Sequence, residues 1–345
     1  MKLAVVLFNL GGPDSLDAVE PFLENLFSDP AILSVPSWIR RPLARMIAKR
    51  RGPVARKIYS HIGGRLPILG ETQAQAAALE YELRRSVAET KVFIAMRAWK
   101  PMSEETAQAV AAYAPDLVVL LPLYPQYSIT TTASSIAAWR KAAAKAGLAT
   151  VEKRVCCYPW DSGFVAALGT RVCDALARRK AGMEYRVLFS AHGLPQKTVA
   201  VGDPYQWQVE RTVEAVVWHE MMANLDWRIA YQSRVGPLKW LEPATDAEIR
   251  RAGAEGKGLI VVPVAFVSEH SETLVELDIE YAQLARDSGA VDYIRVPTVG
   301  VDDLFIRGLA GLVLKAMASE GPASCGEGRI CPSGFRQCGM SEGRA

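Results

Sequence analysis

Short runs of apolar, β-branched residues alternate along the chain with longer stretches of helical periodicity, the pattern of parallel βαβ units whose strands are covered on both faces. In the first half the runs are Leu3 to Asn9, Val92 to Arg97, Leu117 to Leu121 and Thr150 to Cys156. In the second half they are Tyr185 to Ser190, Arg228 to Gln232, Leu259 to Phe266 and Val291 to Val296. Four strands per half are therefore predicted. The strings also repeat: VVLFNLGGP at 5–13 parallels RVLFSAHGLP at 186–195, and VVLLPLYPQYS at 118–128 parallels IVVPVAFVSEHS at 260–271. A duplicated doubly wound α/β unit accounts for both pairs, although such strings also recur between unrelated α/β segments. Length agrees with two domains, since 345 residues exceed one modest core.

Open parallel sheets bind ligands beyond the carboxyl ends of their strands. In the second half those ends carry His192, Gln232-Ser233-Arg234 and Glu269-His270-Ser271-Glu272. Two of the four histidines thus follow strands at equivalent places beside a carboxylate, which favours a chemical role over ordinary packing. The segment from Ser268 to Leu284 reads as a helix capped by Ser268 or Ser271, and Glu272, Glu276 and Glu280 at i, i+4, i+8 would form one acidic stripe. Such a stripe is either a solvated face or a path for a divalent cation, which would turn its repulsion into attraction.

Charge changes the picture in one region. The net charge of +3 is too small to imply nucleic-acid binding, yet residues 30–70 hold nine Lys and Arg and no acid. Trp38, Ile39, Leu43, Met46 and Ile47 alternate there with Arg40, Arg41, Arg45 and Lys49, as in a helix that rests on an anionic membrane, meets a carboxylate-bearing ligand, or is simply solvated. No stretch reaches the ~20 apolar residues of a membrane span. The apolar opening is too short for a signal peptide and leads into Gly11-Gly12-Pro13, so it is read as the first strand of a cytoplasmic protein. Half the residues are apolar and 22% charged, which excludes a disordered chain. Tyr124, Trp99, Trp240 and Phe266 stand near the expected crevice, where a flat apolar ligand would want walls and Arg97 would meet an anionic edge.

Six segments, LFNLGGPDSL, IAKRRGPVARKIYSHIGGRLPI, LYPQYSITTTASS, LFSAHGLPQKTVAVGDPY, YQSRVGPLKWLEP and VPVAFVSEHSETLVELDIEY, occur in the order in which the ferrochelatase family has them. Over nearly its whole length the chain resembles that family. The resemblance implies two Rossmann-like chelatase domains, 1–157 with a basic lip at about 30–70 and 158–318, holding a porphyrin in the cleft between them. It implies insertion of Fe(II) into protoporphyrin IX, with coproporphyrin III as the alternative substrate and a non-catalytic metal or tetrapyrrole carrier as the alternative class. His192 matches the family's active-site histidine and Glu272 its paired acid; His270 and Glu276 fall on its metal or proton path, and Arg97, Tyr124 and Trp240 on pocket positions. Ala98 departs from the animal pattern, which has an aromatic residue after the arginine.

The last stretch, 319–345, is rich in Gly, Ser and Pro and carries three of the six cysteines: Cys325, Cys331 and Cys338. The usual Cys-x-x-Cys pair of structural zinc is missing, which ranks zinc second. The tail resembles the extension with which some ferrochelatases hold a [2Fe–2S] cluster. A fourth thiolate would come from Cys157, or alternatively Cys156, since Cys173 sits in a helical pattern.

Overall fold

The computed structural model describes residues 1–220, 222–234 and 236–341. Among the described residues nine strands run β1 (Lys2–Asn9), β2 (Glu89–Met96), β3 (Leu117–Pro122), β4 (Val151–Cys157), β5 (Tyr185–His192), β6 (Asp226–Gln232), β7 (Gly258–Pro263), β8 (Tyr293–Arg295) and β9 (Ala323–Ser324). All eight predicted strands are present, with ends displaced by a few residues. They form two parallel sheets, ordered β2-β1-β3-β4-β9 and β6-β5-β7-β8. Setting β9 aside, the two orders are the same, as a duplicated unit requires.

The chain divides into two compact units. One comprises Met1–Cys157, Leu309–Ile330 and the chain from Gly339; the other comprises Tyr158–Gly308 and Cys331–Cys338. In the first, every residue of β1 from Leu3 to Asn9 is buried, so both faces of the sheet are covered. Ala4, Val6 and Phe8 pack on one side against Val110 of the helix Ser103–Tyr113 and Trp139 of the helix Ser134–Lys145. In the second unit Leu188, Leu259 and Val261 meet Ile249 and Ala252 of the helix Thr245–Ala254 together with Leu277.

The tail is not a separate segment in the structure. A stretch so poor in large apolar residues cannot close a core of its own, and Ala323–Ser324 instead adds a short strand beside β4, with Ala323 opposite Val155 and Ser324 opposite Cys157. The basic segment forms the helix Ser37–Ser60 with Pro42 and Pro53 inside it. Ala44, Ala48 and Gly52 face inward, whereas Trp38, Met46 and Val54 are exposed. No helix among the described residues is long and apolar enough to cross a membrane.

Candidate active site

Strand β5 ends on His192, and its neighbour β6 ends on Gln232 directly opposite. Gly193 then lets the chain turn: its amide donates to the Gln232 carbonyl at 2.9 Å, and a Cβ at that position would lie 2.9 Å from the same oxygen. The next residue on the β6 side, Ser233, has φ +61°, a left-handed conformation that non-glycine residues adopt at a cost. This strain turns both its amide and its hydroxyl towards one carboxylate, Glu276.

The carboxylates come from the segment after β7. It forms a helix, as predicted, but a π-helix from Glu272 to Tyr281 rather than an α-helix. Of the two serines predicted as caps, Ser271 makes no side-chain capping bond, and the His270 amide donates to Thr273 Oγ1 at 3.0 Å. The wider turn breaks the expected acidic stripe, because i→i+5 rather than i→i+4 neighbours stack. Glu272 and Glu276 stay inside while Glu280 is exposed. Tyr281, five residues on, donates to Glu276 Oε1 at 2.9 Å. An α-helical reading of the sequence misses this partner, since its only signal is a spacing of five.

His192 and Glu272, eighty residues apart, meet with Nδ1 2.9 Å from Oε2. The same Glu272 oxygen lies 3.7 Å from His270 Nε2. Burial would raise the Glu272 carboxyl, but the charge and hydrogen bond of His192, with His270 adding to them, hold it well below the usual carboxylate range. Burial pulls the His192 imidazole down, and the Glu272 charge and hydrogen bond, then the Glu276 charge, outweigh it and leave the imidazole above its ordinary 6.5. Glu276 is pushed the other way from Glu272: burial, then the neighbouring Glu272 charge, raise its carboxyl despite the bonds from Ser233 and Tyr281. Gln232 Nε2 joins the two, at 3.2 Å from the Glu272 carbonyl and 3.1 Å from Glu276 Oε2. Two carboxylates with opposed shifts beside an imidazole are an arrangement chemically able to hold and pass protons.

The remaining predicted residues are placed as follows. The Phe266 ring lies 4.6 Å from the His270 ring. Trp240 bridges to Pro195 and keeps a buried indole N–H without a hydrogen-bond partner. In the first unit, Arg97 is not held ready for an anion: it pairs with the buried Asp29 at 2.9 Å and donates to Ser134 at 2.7 Å. Sequence offered no sign of Asp29, which lies outside every motif. Tyr124 packs against that unit's core with its hydroxyl buried near Ser135, and burial raises its phenol.

Cys156, Cys157, Cys331 and Cys338 are buried, and Cys173 and Cys325 are half-buried. Within the first unit the Cys325 amide donates to the Cys157 carbonyl at 3.3 Å, and Cys156 and Cys157 are buried beside Tyr127. Within the second, Gln208 Nε2 donates to Cys331 Sγ at 3.1 Å, and Cys338 is buried. Cys173 lies in the helix Ser162–Ala177 and donates to Glu220 at 3.3 Å. Among the described residues no three His, Cys, Asp or Glu side chains form a group able to hold a metal.

Two four-stranded parallel arrangements of the same order, one ending on an imidazole–carboxylate pair, define an α/β protein of the chelatase fold. SirB from Bacillus subtilis with Fe3+ shares that fold with a TM-score of 0.52 at 13% identity, over 92% of this chain and 96% of its own. The sirohydrochlorin chelatase SirB from Bacillus subtilis subspecies spizizenii, in complex with cobalt, gives 0.51 at 12% over 92% and 95%. The family model Ferrochelatase matches residues 2–317. Proteins named ferrochelatase from Phenylobacterium zucineum (strain HLK1) and Caulobacter vibrioides (strain NA1000 / CB15N) are 53% and 51% identical to this chain. Each aligns over 99% of it, covering 99% and 98% of their own lengths. The chain belongs to the ferrochelatase family.

Proposed function

We propose that His192 is the base of this enzyme's reaction, the insertion of Fe(II) into protoporphyrin IX with release of two protons. The enzyme is a lyase, and the metal is its substrate. The observation that carries the assignment is the His192–Glu272 contact at 2.9 Å. With Nδ1–H donating to Glu272, Nε2 is left to accept a pyrrole proton, and the fixed carboxylate stabilises the imidazolium that results, as in other base–orienter pairs. Glu272 and His270, with Glu276 behind them, then serve as the route by which iron enters or protons leave; the ionised Glu272 suits the cation, and the raised Glu276 can hold a proton. Phe266, Trp240 and Tyr124 are assigned to porphyrin contacts; Arg97, already paired with Asp29, is assigned to holding the first unit's strand end rather than to binding an anion. An anaerobic assay of haem formation from Fe(II) and protoporphyrin tests the base assignment: turnover is expected to collapse in His192→Ala, and unchanged turnover would refute it.

The cysteines are assigned to a [2Fe–2S] cluster held by Cys157, Cys325, Cys331 and Cys338, with Cys156 as the alternative to Cys157. Their chemistry suits it: largely buried thiols, with Cys331 Sγ receiving the Gln208 amide N–H. Bound there, the cluster would supply a covalent cross-link of the tail and a redox-sensitive group. Visible absorbance with stoichiometric iron and acid-labile sulfide, lost in Cys331→Ser, is the expected result; stoichiometric zinc would overturn it. The exposed Trp38, Met46 and Val54, beside Arg45, Lys49 and Arg50, support peripheral contact with the cytoplasmic face of an anionic membrane. Co-sedimentation with phosphatidylglycerol vesicles but not phosphatidylcholine vesicles, reduced in Trp38→Ala, is expected.

A further inference from the structure

Glu272 and Glu276 are held on one side by His192, Gln232 and Ser233, which belong to the ends of β5 and β6. Something must hold the same segment from the other side of β7, where β8 lies. Arg295, the last residue of β8, does so twice. Its Nη1 meets Glu269 Oε1 at 2.5 Å, just before the π-helix, and its Nε and Nη2 form a two-pronged pair with Asp278 at 2.7 Å each, seven residues into it. The Thr298 amide donates to Glu269 Oε1 at 2.9 Å, and Tyr293 in the same strand donates to the Leu277 carbonyl at 2.7 Å. Glu272 and Glu276 thus lie between two residues fastened to one guanidinium.

The Arg295 side chain keeps only 14% of its surface exposed, and that of Glu269 only 15%. Four carboxylates, Glu269, Glu272, Glu276 and Asp278, crowd ten residues of chain. Without Arg295 two of them would lose their countercharge, and the π register, which is intrinsically rare, would lose its outer fastening.

We propose that Arg295 is a positioning residue for metallation: it fixes the π-helical register that presents Glu272 to His192. The inference rests on the catalytic reading of that pair but is tested apart from it. Lysine, a single point donor, reaches one carboxylate where arginine's planar fork reaches two.

The experiment compares wild type, Arg295→Met, Arg295→Lys and Asp278→Asn by steady-state kinetics and by amide hydrogen exchange across 270–281. In Arg295→Met, kcat is expected to fall about 10- to 100-fold, the scale of a misplacement near 1 Å, with the porphyrin KM within about twofold. Exchange should accelerate in 270–281 while the amides of β5 and β7 keep their protection, and Arg295→Lys should recover part of both. A folded Arg295→Met with unchanged exchange in 270–281 overturns the proposal, as does protection lost equally in β5 and β7. Should Arg295→Met fail to fold, Asp278→Asn keeps the Glu269 arm and decides the matter: faster exchange in 270–281 with reduced kcat supports the proposal, and no change in either refutes it. Failure of the underlying reading would show differently, as undiminished turnover in His192→Ala.

Discussion

The two units carry the same strand order and close their sites in opposite ways. In each, the first strand of the unit runs buried to a glycine turn, and the chain after the third strand enters a π-helical stretch, Ile129–Ala133 in the first unit and Glu272–Tyr281 in the second. The first unit fills the strand ends with Asn9 bonded to Thr72 and with Arg97 bound to Asp29 and Ser134. Its charges are already paired. The second unit places an imidazole, raised above its ordinary 6.5 by the Glu272 charge, against a carboxylate held ionised. Duplicated backbones thus leave one copy as a closed wall and give the other a transferable proton. A handful of side chains beyond the strand ends decides which.

The largest expected effect breaks the active half. His192→Ala should lower kcat by about 10²- to 10⁴-fold, the usual range for a lost general base, in the haem-formation assay. The matching change in the other half, Arg97→Met, should act mainly through stability. It leaves Asp29, 4% exposed, without its cation, and a broken buried pair costs about 3–5 kcal/mol. Denaturant unfolding should show that loss, and Arg97→Met combined with Asp29→Asn should regain a good part of it. If instead Arg97→Met kept full stability, the closed-wall description of the first unit would be wrong.

The glycine turns sharpen the comparison at smaller scale. At Gly193 an added Cβ meets the Gln232 carbonyl at 2.9 Å, backbone that is fixed by the sheet. At Gly12 it meets the tip of the Leu66 side chain, which can rotate aside, and Leu66 Cβ and Ile68 Cγ2 at 3.1 and 3.2 Å, which need give only a few tenths of an ångström. Gly193→Ala is therefore expected to cost about 1–3 kcal/mol in unfolding experiments, the scale of overpacking, and Gly12→Ala less. An equal or reversed order would show that the two turns are not distinguished by rigidity.

Much of this was readable from residues alone, and the exceptions have a common physical cause. The strands were legible because parallel strands covered on both faces must be written as unbroken apolar runs, as VVLLP and LIVVP are. His192, His270 and Glu272 were legible because strand ends are where such sheets put their ligands, and the family resemblance supplied their pairing. What stayed hidden depends on three-dimensional register. The π-helix is set by fastenings at Glu269, Asp278 and Leu277 that come from β8, and local periodicity carries no trace of them. Asp29 is invisible for the same reason: its partner Arg97 is 68 residues away, and only packing tells that the arginine's charge is already taken. That the stretch 319–345 adds a strand to the first sheet was hidden as well, because the two residues Ala323–Ser324 are too few to leave a pattern.

The smallest effect is a shift of pH dependence, and it asks whether the second unit's proton is tuned by the carboxylate beside it. The His192 imidazole is raised above 6.5 because Glu272, and behind it Glu276, outweigh burial. A base must lose its proton before it can accept one, so kcat/KM of the wild type should rise with pH through a midpoint above 6.5. Glu272→Gln removes the main upward influence and leaves burial, so its midpoint should move down, whatever its absolute rate. Stability must follow the same groups with definite signs. The raised imidazole stabilises the fold below its unfolded value of 6.5, and that contribution is lost as pH rises through the folded value; the depressed Glu272 stabilises above its unfolded 4.5, and is lost as pH falls through its folded value. Both contributions coexist between 4.5 and 6.5. The Tm advantage of wild type over Glu272→Gln should peak in that window and shrink on either side; a gap that is flat with pH would mean that the contact between His192 and Glu272 carries no linked proton, and the contrast between the two units would reduce to shape.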